Sequence, residues 1–92
     1  MIVIVCEFKI RIYEAFSLKD KRQIIKSIIE RLKKFNISIC EFGYNDEINL
    51  SQIGIAFVTN SKRHAESTMQ NIINYLDRDT RIEILEIERE IV

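Results

Sequence analysis

Residues 2–35 read IVIVCEFKIRIYEAFSLKDKRQIIKSIIERLKKF, and the spacing of their apolar side chains changes once, at Ser17. Before that point the chain alternates. Ile2, Ile4, Cys6, Phe8, Ile10 and Ile12 point one way, and Val3, Val5, Glu7, Lys9, Arg11 and Tyr13 the other. A period of two over residues 2–13 is a strand with one face on a core. After Ser17 the apolar residues recur at steps of three and four. Leu18, Ile24, Ile25, Ile28, Ile29, Leu32 and Phe35 form one stripe, which predicts a helix over 17–35. Ser17 with Asp20 three residues on resembles a capping box, with Asp in place of Glu. Asn36 suits the left-handed residue that ends a helix.

Working outward, ISICEFGY (37–44) is rich in β-branched and aromatic residues and predicts a second strand, and NDEIN (45–49) is turn chemistry. A third strand follows over 50–59, where Gly54 implies a bulge or a close neighbour. Asn60 or Ser61 caps a second helix reaching about Leu76, with Ala65, Met69, Ile72, Ile73 and Leu76 as its stripe. DRDT (77–80) ends it, and RIEILEIEREIV (81–92) is the last strand. Its alternation slips at Ile84 and Leu85, which implies a bulge or burial on both sides. The order β-α-β-β-α-β with right-handed crossovers gives a four-stranded antiparallel sheet with both helices on one face. The expected architecture is a ferredoxin-like α+β sandwich forming one domain over residues 1–92.

Composition narrows the function classes. The 92 residues are 47% apolar, enough for one core, and the formal net charge is zero. Any affinity for a polyanion must therefore reside in a local patch. Cys6 and Cys40 form neither a C-x-x-C pair nor a metal-ligand spacing, and they read as buried free thiols in a reducing cytoplasm. The apolar start MIVIVC is too short for a signal segment, and no run approaches the ~18 apolar residues of a membrane span. The expectation is a cytoplasmic domain.

Catalytic constellations are thin. The single histidine, His64, lies on the polar side of the second helix, in its first turn. Two glycines in the whole chain exclude a phosphate loop of the Walker kind. Glu86, Glu88 and Glu90 share one strand face, where charge pairing with Lys9 and Arg11 on a neighbouring strand is the ordinary explanation. The expectation is a protein that is not an enzyme and uses neither metal nor cofactor.

The cations of the first helix pose the sharper question. Residues 17–35 hold seven basic and two acidic side chains, a local charge of +5. Lys19, Lys21 and Arg22 sit in the first turn, where the backbone dipole is already positive. On a helical wheel Lys19, Arg22, Lys26 and Lys33 lie opposite the apolar stripe, with Glu30 among them. Lys21 falls inside the stripe, so its ammonium is expected to reach past the end of the sheet. One explanation is a solvated face, with Lys21 running along its own methylenes to water or meeting an acid at the sheet end. The other is an anion site formed by Ser17, Lys19, Lys21, Arg22 and Lys26, where a phosphate relieves the mutual repulsion. RNA would then be held through its backbone, since strand 1 carries one aromatic on the open face and no base-stacking pattern. A competing role is assembly: Val3, Val5, Ala56 and Val58 make an apolar patch that a second copy would cover. A small-molecule regulatory module is a third reading, by analogy of fold.

SLKDKR (17–22), the run FNISICEFG (35–43) and the closing IEREIV (87–92) resemble the YlxP-like family of small bacterial proteins, a family of unknown function. Its members usually carry S-L-K-x-K-R and an E-R-E-hydrophobic ending. The family residues match Ser17, Leu18, Lys19, Lys21 and Arg22 without a gap, and the resemblance spans essentially the whole chain. It implies a ferredoxin-like fold, a cytoplasmic location, a homodimer and, from genes neighbouring those for translation and ribosome maturation, a link to RNA or a ribosomal particle. The hairpin YNDEINLSQIGIAFV (44–58) departs from it, being polar where relatives often carry an aromatic or bulkier residue ahead of strand 3.

Overall fold

The computed structural model describes residues 1–92. The elements are β1 (Ile2–Ile12), α1 (Leu18–Leu32) with a 3-10 turn (Lys33–Phe35), β2 (Ser38–Gly43), β3 (Leu50–Thr59), α2 (Lys62–Asp77) and β4 (Ile82–Ile91). The strands pair antiparallel in the order β2-β3-β1-β4. This is the ferredoxin-like β-α-β-β-α-β sandwich that the change of period implies.

Local chemistry sets the element ends. The Ser17 hydroxyl accepts from the Asp20 N–H at 3.1 Å, and the Asp20 carboxylate accepts from the Phe16 N–H at 3.1 Å. The box thus closes one residue further back than the usual form, in which the acid meets the cap's own N–H. The regular helix stops at Leu32, and three residues of 3-10 turn lead to Asn36 at φ 57°, ψ 53°. Ser61 caps α2, accepting from His64 N–H at 3.2 Å.

The inward faces of β1 and β3 and the two helix stripes build one core, with Phe8, Ile10, Ile28, Leu32, Ile53, Ile72 and Leu76 fully buried. Only 20 of the 92 residues are buried, so the folding margin rests on few side chains.

Both irregularities flagged in the sequence have physical causes. Lys9 faces Glu86 while Ile10 faces Ile84, leaving Leu85 as the extra residue of a bulge. That bulge lets two adjacent apolar residues coexist in one strand. Gly54 stays in register, and its explanation is the close neighbour: a Cβ there would stand 3.2 Å from the Phe42 ring. Phe42 is itself the unpaired residue of a second bulge, because Glu41 faces Ile53 and Gly43 faces Gln52.

The thiols correct the sequence reading in part. Cys6 is buried, whereas Cys40 is exposed on β2. Burial pushes the Cys6 thiol up to about 11, with the Arg89 charge opposing the shift. A maleimide added to the native protein is expected to modify Cys40 at once and Cys6 only on unfolding. Equal labelling of both by mass spectrometry would contradict this placement.

Candidate functional site

The N-terminal turn of α1 divides the five residues expected to form an anion site. Ser17 is spent on the helix cap. Lys19, Arg22 and Lys26 are exposed and make no ion pair, and their i, i+3, i+7 spacing places them on one solvent face. Lys21 leaves the set. It is 1% exposed, and its ammonium, instead of reaching past the sheet to solvent, turns down onto β2. There Nζ lies 3.3 Å from the Glu41 carboxylate and donates to the Tyr44 carbonyl. Glu41 also accepts from the hydroxyl of buried Ser51 on β3. A lysine with its charge neutralised inside the fold offers nothing to an external anion.

This Lys21–Glu41–Ser51 cluster ties together α1, β2 and β3. Tyr44, held by it, stands at φ 59° where the chain leaves β2 for the 45–49 turn. The other end of that turn is fixed by Asn49, whose Nδ2 donates to the Ile12 carbonyl at 3.2 Å.

The face of the sheet away from the helices has two halves. At one end Val3, Val5, Ala56 and Val58 sit side by side, since Val3 pairs with Val58 and Val5 with Ala56. Val58 is 63% exposed and Phe42, nearby over Gly54, is 46% exposed. Together with Ile37 and Ser38, Val3, Ala56 and Val58 line a shallow depression of about 450 Å³. The other half is charged. Arg11 lies 4.0 Å from Glu83, but Lys9, although opposite Glu86, stands over the Tyr44 ring at 5.3 Å. Glu88 faces Glu7 directly, so the expected pairing of the Glu86–Glu90 row with Lys9 and Arg11 is not what this row does. Like charges opposed across a pair of strands weaken it.

At the far end of the helix layer, Arg81 donates to both oxygens of Asp79, at 2.9 and 2.7 Å. These bonds, with help from the Arg81 backbone N–H and the Arg31 charge, hold the Asp79 carboxyl below its ordinary value. The fold therefore gains from this ionisation above pH 3.8 and loses the gain as pH falls through the lowered value. Asp79→Asn is expected to flatten the decline of the urea midpoint on acidification below about pH 4; an unchanged slope would exclude the pair as a contributor.

His64 is exposed, its ring 3.4 Å from the Thr68 hydroxyl one turn along α2. No helix is long and apolar enough to cross a membrane.

A small ferredoxin-like domain with a basic helical face, an apolar patch on its open sheet and a buried lysine under its first helix is thus defined. The matches to known sequences then place it: residues 3–89 fit the model of a protein family of unknown function, DUF503, and the chain belongs to that family. It is 41% identical over 73 residues to the uncharacterized protein YlxP of Bacillus subtilis (strain 168), covering 78% of this chain and 79% of that one. Among solved structures it is similar to the de novo designed protein Foldit4, with TM-score 0.62 and 18% identity over 96% of each chain. It is also similar to a dimeric ferredoxin-like protein from an uncultured marine organism, with TM-score 0.53, 7% identity, and 100% and 96% of the two chains covered. At such identities these structures speak to the fold alone.

Proposed function

We propose that this protein is a non-catalytic binding module that grips the phosphate backbone of RNA, as on a ribosomal particle, with the solvent face of α1, and that it works as a homodimer. The carrying observation is the charge left after Lys21 is withdrawn. Six basic residues of the 17–35 segment, Lys19, Arg22, Lys26, Arg31, Lys33 and Lys34, are exposed, and only Lys33 has an ion-pair partner, Glu30 at 3.2 Å. The compensating acids Glu83, Glu86, Glu88 and Glu90 are carried by β4, away from this face. Segregation of this kind gives a neutral chain a positive face.

Contacts made by such a face neutralise phosphates and release counterions. Affinity for single-stranded RNA is expected to fall linearly with salt on logarithmic axes, by about 0.7 per phosphate neutralised. The triple variant Lys19→Ala, Arg22→Ala, Lys26→Ala is expected to reduce that slope by roughly 2 across all RNA sequences. Binding that ignores salt, or a triple variant that binds as the parent does, defeats this reading. Lys21→Ala is excluded from the test because its effect is on the fold.

Support for the dimer comes from the exposed Val3, Val5, Ala56 and Val58 patch with Phe42 beside it. The marine ferredoxin-like neighbours are dimeric proteins, which agrees with this reading. Light scattering is expected to give twice the 10.9 kDa chain mass.

A further inference from the structure

We propose that the cleft between the C-terminal ends of the two helices and the start of β4 binds a phosphate monoester through Arg31 and Arg78, beside the Asp79-paired Arg81. The cleft measures about 510 Å³ and is lined by these three arginines with Tyr75, Asp79 and Thr80. Three separate elements supply the guanidinium groups: Arg31 from the last turn of α1, Arg78 from the cap of α2, and Arg81 from the turn into β4.

One carboxylate faces three cations. Asp79 is fully committed to Arg81, which donates to it through Nε, a terminal nitrogen and the backbone N–H. Arg81 also reaches the Ser27 hydroxyl at 3.4 Å, so this neutral pair forms a fixed wall between the two free arginines. Arg31 and Arg78 are exposed and make no ion pair. The negative ends of the helix dipoles favour one cation each. Yet Lys33 and Lys34 already stand at the end of α1, and Arg81 belongs to neither helix. The remaining excess of two positive charges in one concave site matches the dianion of a phosphate monoester. Planar guanidinium forks suit its oxygens better than the point charge of a lysine ammonium would.

The aromatic wall refines the ligand class. The Lys34 ammonium stands 4.3 Å from the Tyr75 ring centroid, and Phe35 meets the same ring edge-on at 6.2 Å. That ammonium adds to the positive charge beside the cleft, and the group the cleft recognises is the phosphate. A free nucleotide, a sugar phosphate and the 5′ end of an RNA all present this group.

The site shares only Arg31 with the basic residues invoked for RNA, and a titration followed by nitrogen-15 NMR separates the two through positions 78–81 against 19–26. The probes are inorganic phosphate, adenosine 5′-monophosphate, and one RNA oligonucleotide with and without its 5′ phosphate, against chloride at equal ionic strength. Saturable shifts are expected at Arg31 and at positions 78–81 with every phosphate-ended probe, and to be weaker with the 5′-hydroxyl RNA. Arg31→Ala and Arg78→Ala are each expected to weaken binding about tenfold. Both side chains are exposed, so the folded state is retained, and Arg31→Lys should recover only part of the loss because the fork is missing. No shift at these positions, affinities unaltered in both alanine variants, or shifts confined to residues 19–26 would each overturn the proposal. The last result would leave the α1 reading standing.

Discussion

Lys21→Ala is expected to remove about 3–5 kcal/mol of folding stability, a large share of the roughly 5–15 kcal/mol available to a domain. An exposed helical lysine exchanged for alanine changes stability by no more than about half a kcal/mol. The difference lies in where the charge sits. Lys21 is buried beneath α1 with its ammonium 3.3 Å from Glu41, whose side chain is 19% exposed. Removing the lysine strands the carboxylate in a poorly solvated place with Ser51 as its remaining partner. It also frees the Tyr44 carbonyl and empties the volume of three methylenes and the ammonium under the helix. Glu41→Gln is expected to be costly for the mirror reason, leaving a buried ammonium without its counter-charge. The double variant Lys21→Met, Glu41→Leu removes both charges while keeping apolar volume, and should lie closer to the parent than either single variant. Urea unfolding of the parent, the Lys21→Met and Glu41→Leu single variants and their double variant completes the cycle. If Lys21→Ala unfolds within half a kcal/mol of the parent, the ammonium is not buried against Glu41. Amide exchange at residues 44–49 should quicken in the variants, because the hairpin tip is anchored through Tyr44.

That cluster also shows how far the sequence could be read. The architecture follows from the change of period at Ser17 and from the turn chemistry between later apolar runs, both of which are local signals. Caps and bulges were equally legible: Ser17 and Asp20, Asn36, and the adjacent Ile84 and Leu85 each break a pattern in a way that allows few structures. The partner of Lys21 was not legible in the same way. A lysine in the apolar stripe of a helix is an anomaly with two solutions, reaching outward or finding an acid. The second needs the register of an element twenty residues on. A trace of it was present, because the alternation of ISICEFGY puts Glu41 on the side of Ile39, which packs against the core. Two misplaced charges of opposite sign, one on a helix stripe and one on a strand's inner face, are a pairing signal. The shift of Phe42 into a bulge could not be foreseen, because it depends on the void above Gly54 in the neighbouring strand. The arginine cleft is similarly non-local: Arg31 lies almost fifty residues from Arg78, and only the packing of the two helix ends brings them to one cavity.

Val58→Glu is expected to abolish the dimer proposed above while leaving the chain folded. In the single chain Val58 is 63% exposed at the end of β3, paired across to Val3, so a glutamate there remains solvated and the fold loses little. In a dimer closed through the open sheet face the same position lies beneath a second copy. A two-fold interface contains every residue twice, so one substitution buries two unpaired carboxylates. An uncompensated buried charge costs several kcal/mol even after relaxation. At 1.4 kcal/mol per decade, a combined cost of about 3–6 kcal/mol raises the dissociation constant by roughly two to four decades. Sedimentation at micromolar protein should then show one species of chain mass, with a urea midpoint close to that of the parent measured at high dilution. Val58→Ile, which adds one methylene without charge, should keep the dimer. The alternative seam, the free edge of β4, is guarded by Glu83, Glu86, Glu88 and Glu90, charges of the kind that deter strand pairing between copies. A Val58→Glu protein that remains a dimer would therefore place the interface off the open face, with the free edge of β2 as the remaining seam, and would remove the apolar patch from the functional account.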